Sequence, residues 1–197
     1  MKTELSDAQI TMGFRIILLL GFMTIIGSIM SQETKFKALA AEYDTYRRSN
    51  EMVVLNLESS LELATAQAKK SIFVQSETEC LAKNIYFEAR NESYAGKMAV
   101  ATVTKNRVQN KGYPKTFCGV VYQPCQFSWT CDSRKDTISN TSEYKESKKI
   151  AEDVLLMGKR SSIIDRSVMF YHANYIKPYW ANSRQFVTQI GSHIFYR

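Results

Sequence analysis

Cys80-Leu-Ala-Lys-Asn-Ile-Tyr-Phe-Glu-Ala-Arg-Asn-Glu92 places a carboxyl where an apolar side chain would be expected. On a helix of 3.6 residues per turn, Leu81, Ile85 and Ala89 form one stripe, and Glu88 projects between Leu81 and Ile85. A carboxylate on an apolar surface is disfavoured relative to its neutral form. Its pKa therefore rises toward the range of a general acid at neutral pH. Glu88 is the candidate acid, and Leu81 and Ile85 are expected to touch its side chain. The competing structural reading pairs Glu88 with a nearby Lys or Arg, or leaves it at a frayed helix end; spacing does not choose between the two.

Downstream, a second helix is expected from Ala95 to Asn110, with Ala99, Val100, Val103 and Arg107 at helical spacing and a stop at Lys111-Gly-Tyr-Pro114. Residues 113–133 hold the run Tyr122-Gln-Pro-Cys-Gln-Phe-Ser-Trp129, which reads as a disulfide-stapled loop. Aromatic faces beside amides suit sugar rings, whose C–H faces stack and whose hydroxyls need hydrogen bonds. A small local core is the plainer reading of the same residues. Asn140 with Glu143 opens a helix to about Met157, turned inward through Tyr144, Ile150, Ala151, Val154 and Leu155 and stopped by Gly158. Ser167–Tyr171 and His193–Tyr196 are β-rich runs expected to pair antiparallel. His172 and His193 adjoin these runs. Two histidines with a carboxylate suit zinc, so a metal site is the alternative reading.

Upstream, residues 16–30 carry no charge, and Met12, Gly13 and Phe14 extend the apolar stretch across Arg15. A helix crossing a hydrocarbon core of about 30 Å needs roughly 20 apolar residues, a length that snorkelling of Arg15 helps to reach. A cleaved signal peptide needs a small-x-small site within a few residues of its apolar core, and Ala38-Leu-Ala40 is too distant. Residues 12–30 are therefore expected to be an uncleaved signal anchor in the inner (cytoplasmic) membrane, with the C-terminal part periplasmic or otherwise outside. From residue 31 to 76 there is no Gly or Pro, and Phe36, Leu39, Tyr43, Tyr46, Asn50, Val53 and Leu57 recur at alternating spacings of three and four. That is a coiled-coil seam with a polar Asn50 of the kind that fixes register. A homodimeric stalk through 31–76 and a lone amphipathic helix are both compatible with it. The expected organisation is an anchor at 1–30, a helical stalk at 31–76 and a catalytic domain at 77–197.

Charge is unevenly distributed. Residues 1–76 carry 8 Lys+Arg against 8 Asp+Glu, while residues 77–197 carry 18 against 11, so the net +7 belongs to the second part. A basic domain favours an anionic partner such as nucleic acid, anionic lipid or an acidic wall polymer. No dense run of Lys and Arg interleaved with aromatics occurs, which argues against nucleic acid. Cys80, Cys118, Cys125 and Cys131 all lie in the basic part. Their close spacings exceed the short Cys-x2-4-Cys of zinc sites, so no metal or other cofactor is expected and two disulfides in an oxidising compartment are. Four cysteines allow three pairings; Cys80 with Cys118 and Cys125 with Cys131 is the one favoured.

The blocks Cys80-Leu-Ala-x-x-Ile-Tyr-Phe-Glu-Ala-Arg-x-Glu92, Gly96-x-x-Ala-Val and Asn106-Arg-Val108 together resemble the SleB/CwlJ-type cell wall hydrolases, which include the spore-cortex lytic enzymes. The likeness continues through Phe117-Cys-Gly-Val-Val-Tyr-Gln123, Cys125-Gln-Phe-Ser-Trp-Thr-Cys131, Tyr171-His172, Tyr179-Trp180-Ala181 and Gly191-x-His-Ile-Phe-Tyr-Arg197, covering 79–197. It implies a lysozyme-like α+β domain, mainly helical with a small β element, that cleaves peptidoglycan glycan strands after N-acetylmuramic acid by lytic transglycosylation. Glu88 would be acid and then base, with the muramic 6-hydroxyl as nucleophile. A conventional hydrolase would need a second carboxylate, for which Glu92, Asp132 and Asp136 are candidates. Tyr86, Glu92, Tyr122, Gln126 and Phe127 are expected to bind substrate, as are Ser128, Trp129, His172 and Trp180. Asn91 stands where the family usually has Gly, and it tolerates a left-handed backbone. The alternatives are a metal-dependent N-acetylmuramoyl-L-alanine amidase using His172 and His193, and a non-catalytic wall-binding module.

Overall fold

The first proline of the chain is Pro114, so nothing upstream forbids a continuous helix. The computed structural model describes residues 7–197, with side chains from residue 11 onward. Residues 1–6 of the expected anchor, Lys2 among them, lie outside the described residues. Helix α1 runs over Asp7–Ala89 as one element of 83 residues. The helix is unbroken at 76/77, and chain contacts divide the molecule after Thr65.

In the first unit the helix is bare. Its apolar residues from Met12 to Leu61 are exposed, including those of the 16–30 stretch. The helix is long and apolar enough to cross a membrane by length and composition.

The second unit is built around α2 (Tyr94–Gln109), which is buried over most of its circumference. One of its faces, through Met98 and Ala101, packs with Leu81 and Ile85 of α1 and with Ile150, Ala151 and Val154 of α4 (Thr141–Leu156). The other, through Ala99 and Val103, meets Ile190 and Phe195 of the sheet. The sheet has the order β1-β3-β2 and is antiparallel, from β1 (Phe170–Ala173), β2 (Phe186–Ile190) and β3 (His193–Tyr196). The expected pairing holds in register Phe170 to Tyr196 and Ala173 to His193. This is the mainly helical α+β architecture read from the sequence.

Local chemistry sets the element ends. Ser93 Oγ accepts from Gly96 N at 3.3 Å to start α2, and Asn140 Oδ1 accepts from Ser142 N and Glu143 N at 3.1 and 3.2 Å to start α4. The buried Lys97 joins the two helices by donating to Glu143 and Glu146, both at 2.5 Å. Glu77 accepts from Phe117 N at 2.5 Å and Cys118 N at 3.3 Å, satisfying the open start of a short helix α3 (Phe117–Val121) where only a loop was expected. Beside that contact, Cys80 and Cys118 form a disulfide.

One expectation needs correction, and two local features go beyond the sequence reading. Cys125 and Cys131 are free, exposed thiols, not a second disulfide. Backbone bonds from Gln126 N to Gln123 O, Thr130 N to Phe127 O and Cys131 N to Ser128 O already hold that loop without a covalent closure. Asn91 does not use a left-handed backbone: the non-glycine residues with positive φ among those described are Cys125 and Ser133. Strand β2 was not anticipated, although Gly191 directly follows Phe186-Val-Thr-Gln-Ile190 as a turn signal.

Candidate active site

A cleft of about 590 Å³ opens beside the end of α1, a size typical of small-molecule sites. Phe87 and Glu88 come from α1, Arg107 from α2, Cys125 to Ser128 from the loop, Phe170 to Ala173 from β1, and Trp180 and His193 from the last part of the chain.

One wall is fixed by a short chain of contacts. Phe87 stacks on Trp129 at 4.8 Å between centroids. Trp129 Nε1 donates to Asn84 Oδ1 at 3.3 Å, and Asn84 Nδ2 donates to Thr104 Oγ1 at 3.2 Å. The aromatic loop is thus tied to both α1 and α2 beneath it.

Glu88 as a residue is half-buried, but its carboxyl lies deep in the cleft. Burial pushes its pKa up, against a hydrogen bond from Tyr171 and the field of Arg107, which both pull it down. Tyr171 Oη donates to Glu88 Oε2 at 3.1 Å. Burial, reinforced by the Glu88 charge, lifts the Tyr171 phenol well above its ordinary value, so it remains a donor. Arg107 donates Nε to Met169 O at 2.9 Å and lies over the Phe127 ring at 5.3 Å. Its buried Nη1 has no hydrogen-bond partner among the described residues. The arrangement can hold a proton on Glu88 and stabilise the carboxylate once that proton has left.

The structure sorts the expected substrate residues. Gln126, Phe127, Ser128, His172 and Trp180 line the cleft with Glu88. Tyr86 does not: it is fully buried, accepts from Asn140 N at 3.0 Å through its hydroxyl, and packs edge-on against Tyr144. Trp129 is buried behind the wall, and the half-exposed Tyr122 sits against its edge, outside the lining. Glu92 also faces away from the cleft. It accepts from Ser192 N at 3.2 Å and from Ser192 Oγ, and lies 3.7 Å from His193 Nδ1. A Cβ added at Gly191 would fall 1.8 Å from Glu92 Oε2, and one at Gly96 would fall 2.9 Å from Glu92 Cβ. Glu92 is therefore the clasp between the α2 start and the β2–β3 turn. Leu81 and Ile85 pack with α2 and α4, and the polar groups set at the Glu88 carboxyl are Tyr171 and Arg107.

Arg107 and Tyr171 were not singled out as site residues. The signal for Arg107 was present: a charge at the same helical spacing as Ala99, Val100 and Val103 points to a buried cation needing a function. Nothing local marked Tyr171, which reads as one more aromatic in a strand.

The two histidines line one cleft without forming a ligand set. His172 engages Ala173 O through Nδ1 at 2.9 Å and the Tyr196 hydroxyl through Nε2 at 3.0 Å. Among the described residues no three His, Cys, Asp or Glu side chains converge. No observation favours the amidase chemistry.

Comparison with known proteins gives a consistent result. The family model described as Cell Wall Hydrolase matches residues 91–196, more than half of the chain; Glu88 lies just ahead of that match. The chain is 27% identical over 123 residues to a spore cortex-lytic enzyme of Bacillus cereus and 25% identical over 124 residues to that of Bacillus subtilis. Each match covers 62% of this chain but only 45% and 38% of the relative, so the chain spans less than half the length of these proteins. The catalytic domain of the germination-specific lytic transglycosylase SleB from Bacillus anthracis superposes with a TM-score of 0.52 at 27% identity, covering 62% of this chain and 95% of that one.

Proposed function

The chain belongs to the cell wall hydrolase family, and from that premise we propose that it is a peptidoglycan-degrading enzyme cutting the glycan strand after N-acetylmuramic acid by lytic transglycosylation. The observation that carries this reading is that Glu88 is the one carboxylate lining the cleft among the described residues. A retaining or inverting hydrolase needs a second carboxylate as nucleophile or base. Glu92 is engaged at the β2–β3 turn, and neither Asp132 nor Asp136 lines the cleft. A transglycosylase needs one acid because its substrate brings the nucleophile.

In this mechanism neutral Glu88 donates its proton to the glycosidic oxygen as the bond from the muramic C1 breaks. The bonding electrons leave with that oxygen, and positive charge develops on C1 and the ring oxygen. The Glu88 carboxylate so formed, held by the Tyr171 hydroxyl and the Arg107 charge, takes the proton of the muramic 6-hydroxyl. O6 then bonds to C1 and closes a 1,6-anhydro ring, leaving Glu88 protonated for the next cycle. Trp180 offers a ring face to the sugars, and Gln126 and Ser128 offer hydrogen bonds.

The apolar 12–30 segment serves as a single-pass anchor in the inner membrane, with residues 31–76 as stalk and 77–197 as catalytic domain on the outer side. Support comes from the length and apolar character of α1 and from the wall substrate of the family. Digestion of purified peptidoglycan by the full chain, followed by mass spectrometry, tests the chemistry. Anhydro-ended muropeptides are expected; reducing muramic ends would replace the mechanism with hydrolysis, and free stem peptides would replace it with an amidase.

A further inference from the structure

The stalk presents a row of apolar side chains that the described chain leaves uncovered. Phe36, Leu39, Tyr43, Tyr46, Val53 and Leu57 are each more than half exposed. With Asn50 they fall at the a and d positions of successive heptads, a being 36, 43, 50 and 57 and d being 39, 46 and 53. From 36 to 50 the large apolar side chains keep to a row as narrow as a coiled-coil seam, and Met52, Val54 and Leu55 widen it beyond that. A recess of about 620 Å³ lies along it, lined among others by Tyr43, Tyr46, Asn50 and Val54.

We propose that residues 36–57 pair with the same segment of a second copy as a parallel, in-register, two-stranded coiled coil. Charge complementarity selects both partner and direction. Glu42 occupies a g position and Arg47 the e position of the next heptad. A parallel pair in register sets g beside the following e of the partner, so Glu42 meets the partner's Arg47, and symmetry makes the contact twice. An antiparallel pair sets g beside g and e beside e, so Glu42 and Arg47 would not meet across it. Asn50 at an a position then faces its symmetry mate, the arrangement that specifies two parallel strands. The recess beside Asn50 is where side chains of the second helix enter as knobs. This pairing is independent of which bond the catalytic domain cuts.

The full chain in detergent micelles tests it, carrying Cys125→Ser and Cys131→Ser so that added cysteines report alone. Sedimentation is expected to give two chains per particle. Leu39→Cys and Val53→Cys are expected to cross-link into dimers on oxidation, whereas Ala41→Cys and Arg48→Cys, on the opposite face, are not. Glu42→Arg should weaken the dimer by on the order of tenfold, and adding Arg47→Glu should restore it, because two attractive contacts turn repulsive and back. A single-chain particle overturns the proposal. So does cross-linking at all four positions alike, or a Glu42→Arg loss that Arg47→Glu does not rescue, either of which would leave the seam to a different partner.

Discussion

The proton on Glu88 is governed by two opposed influences, and each can be removed separately. Tyr171→Phe deletes a donor that favours the carboxylate, so the Glu88 pKa rises further and the alkaline limb of the kcat/KM profile moves to higher pH. A profile displaced downward would show that Tyr171 does not act on the acid. Glu88→Gln should cost about 10²- to 10⁴-fold in turnover, the usual range for a general acid. It should not cost stability. In the native state the Glu88 pKa is above its unfolded value, so the unfolded chain holds fewer protons between those two values, and stability falls as pH rises through that window. Above the window the penalty is fully present, and Glu88→Gln, which cannot ionise, is expected to melt no lower than the parent at neutral pH in calorimetry. Gly191 sits at φ +55 against the Glu92 carboxylate, so Gly191→Ala combines backbone strain with overlap and should cost about 1 to 3 kcal/mol in denaturant unfolding. The acid at 88 could be singled out by its place on an apolar stripe. The role of Glu92 could not, because the turn that it holds lies a hundred residues away.

Helices α1, α2 and α4 were legible because each carries a local signature. Asn140 caps α4 as the Asn-x-x-Glu spacing foretold, and the apolar periodicity marked the inward faces. Strand β2 and helix α3 escaped because their stabilisation is non-local: β2 is held by β3, and α3 by the carboxylate of Glu77 reaching its first N–H groups. The Cys80–Cys118 bridge closes a separation of 38 residues between α1 and α3, for which chain entropy gives about 4 kcal/mol at most. Reduction, or Cys80→Ser with Cys118→Ser, should lower the urea midpoint accordingly. Lys97 joins α2 to α4 through two carboxylates that are themselves part exposed and can be resolvated. Lys97→Met should therefore cost about 1 to 2 kcal/mol, below the 3 to 5 typical of breaking a fully buried pair.

At the scale of the molecule, charge and chemistry occupy different parts of the chain. The stalk and apolar segment are balanced in charge, and the net +7 sits on the part that carries the cleft. Binding to the anionic wall should thus weaken as salt rises, and a pull-down on purified peptidoglycan at increasing ionic strength reads this directly. The continuity of α1 was the feature that the sequence reading missed at this scale. It assigned separate segments by composition, while the absence of any proline before Pro114 lets one helix carry all of them.

On the proposed mechanism, a cleft lined by Glu88 as the one carboxylate among the described residues, with the exposed Cys125 beside it, also sets how the protein answers chemical probes. Activated sugars that trap glycosidases by forming an ester to a second carboxylate meet no such atom here. An activity-based screen relying on them would pass this protein over, while a thiol-directed reagent carrying a sugar would mark it at the mouth of the same cleft.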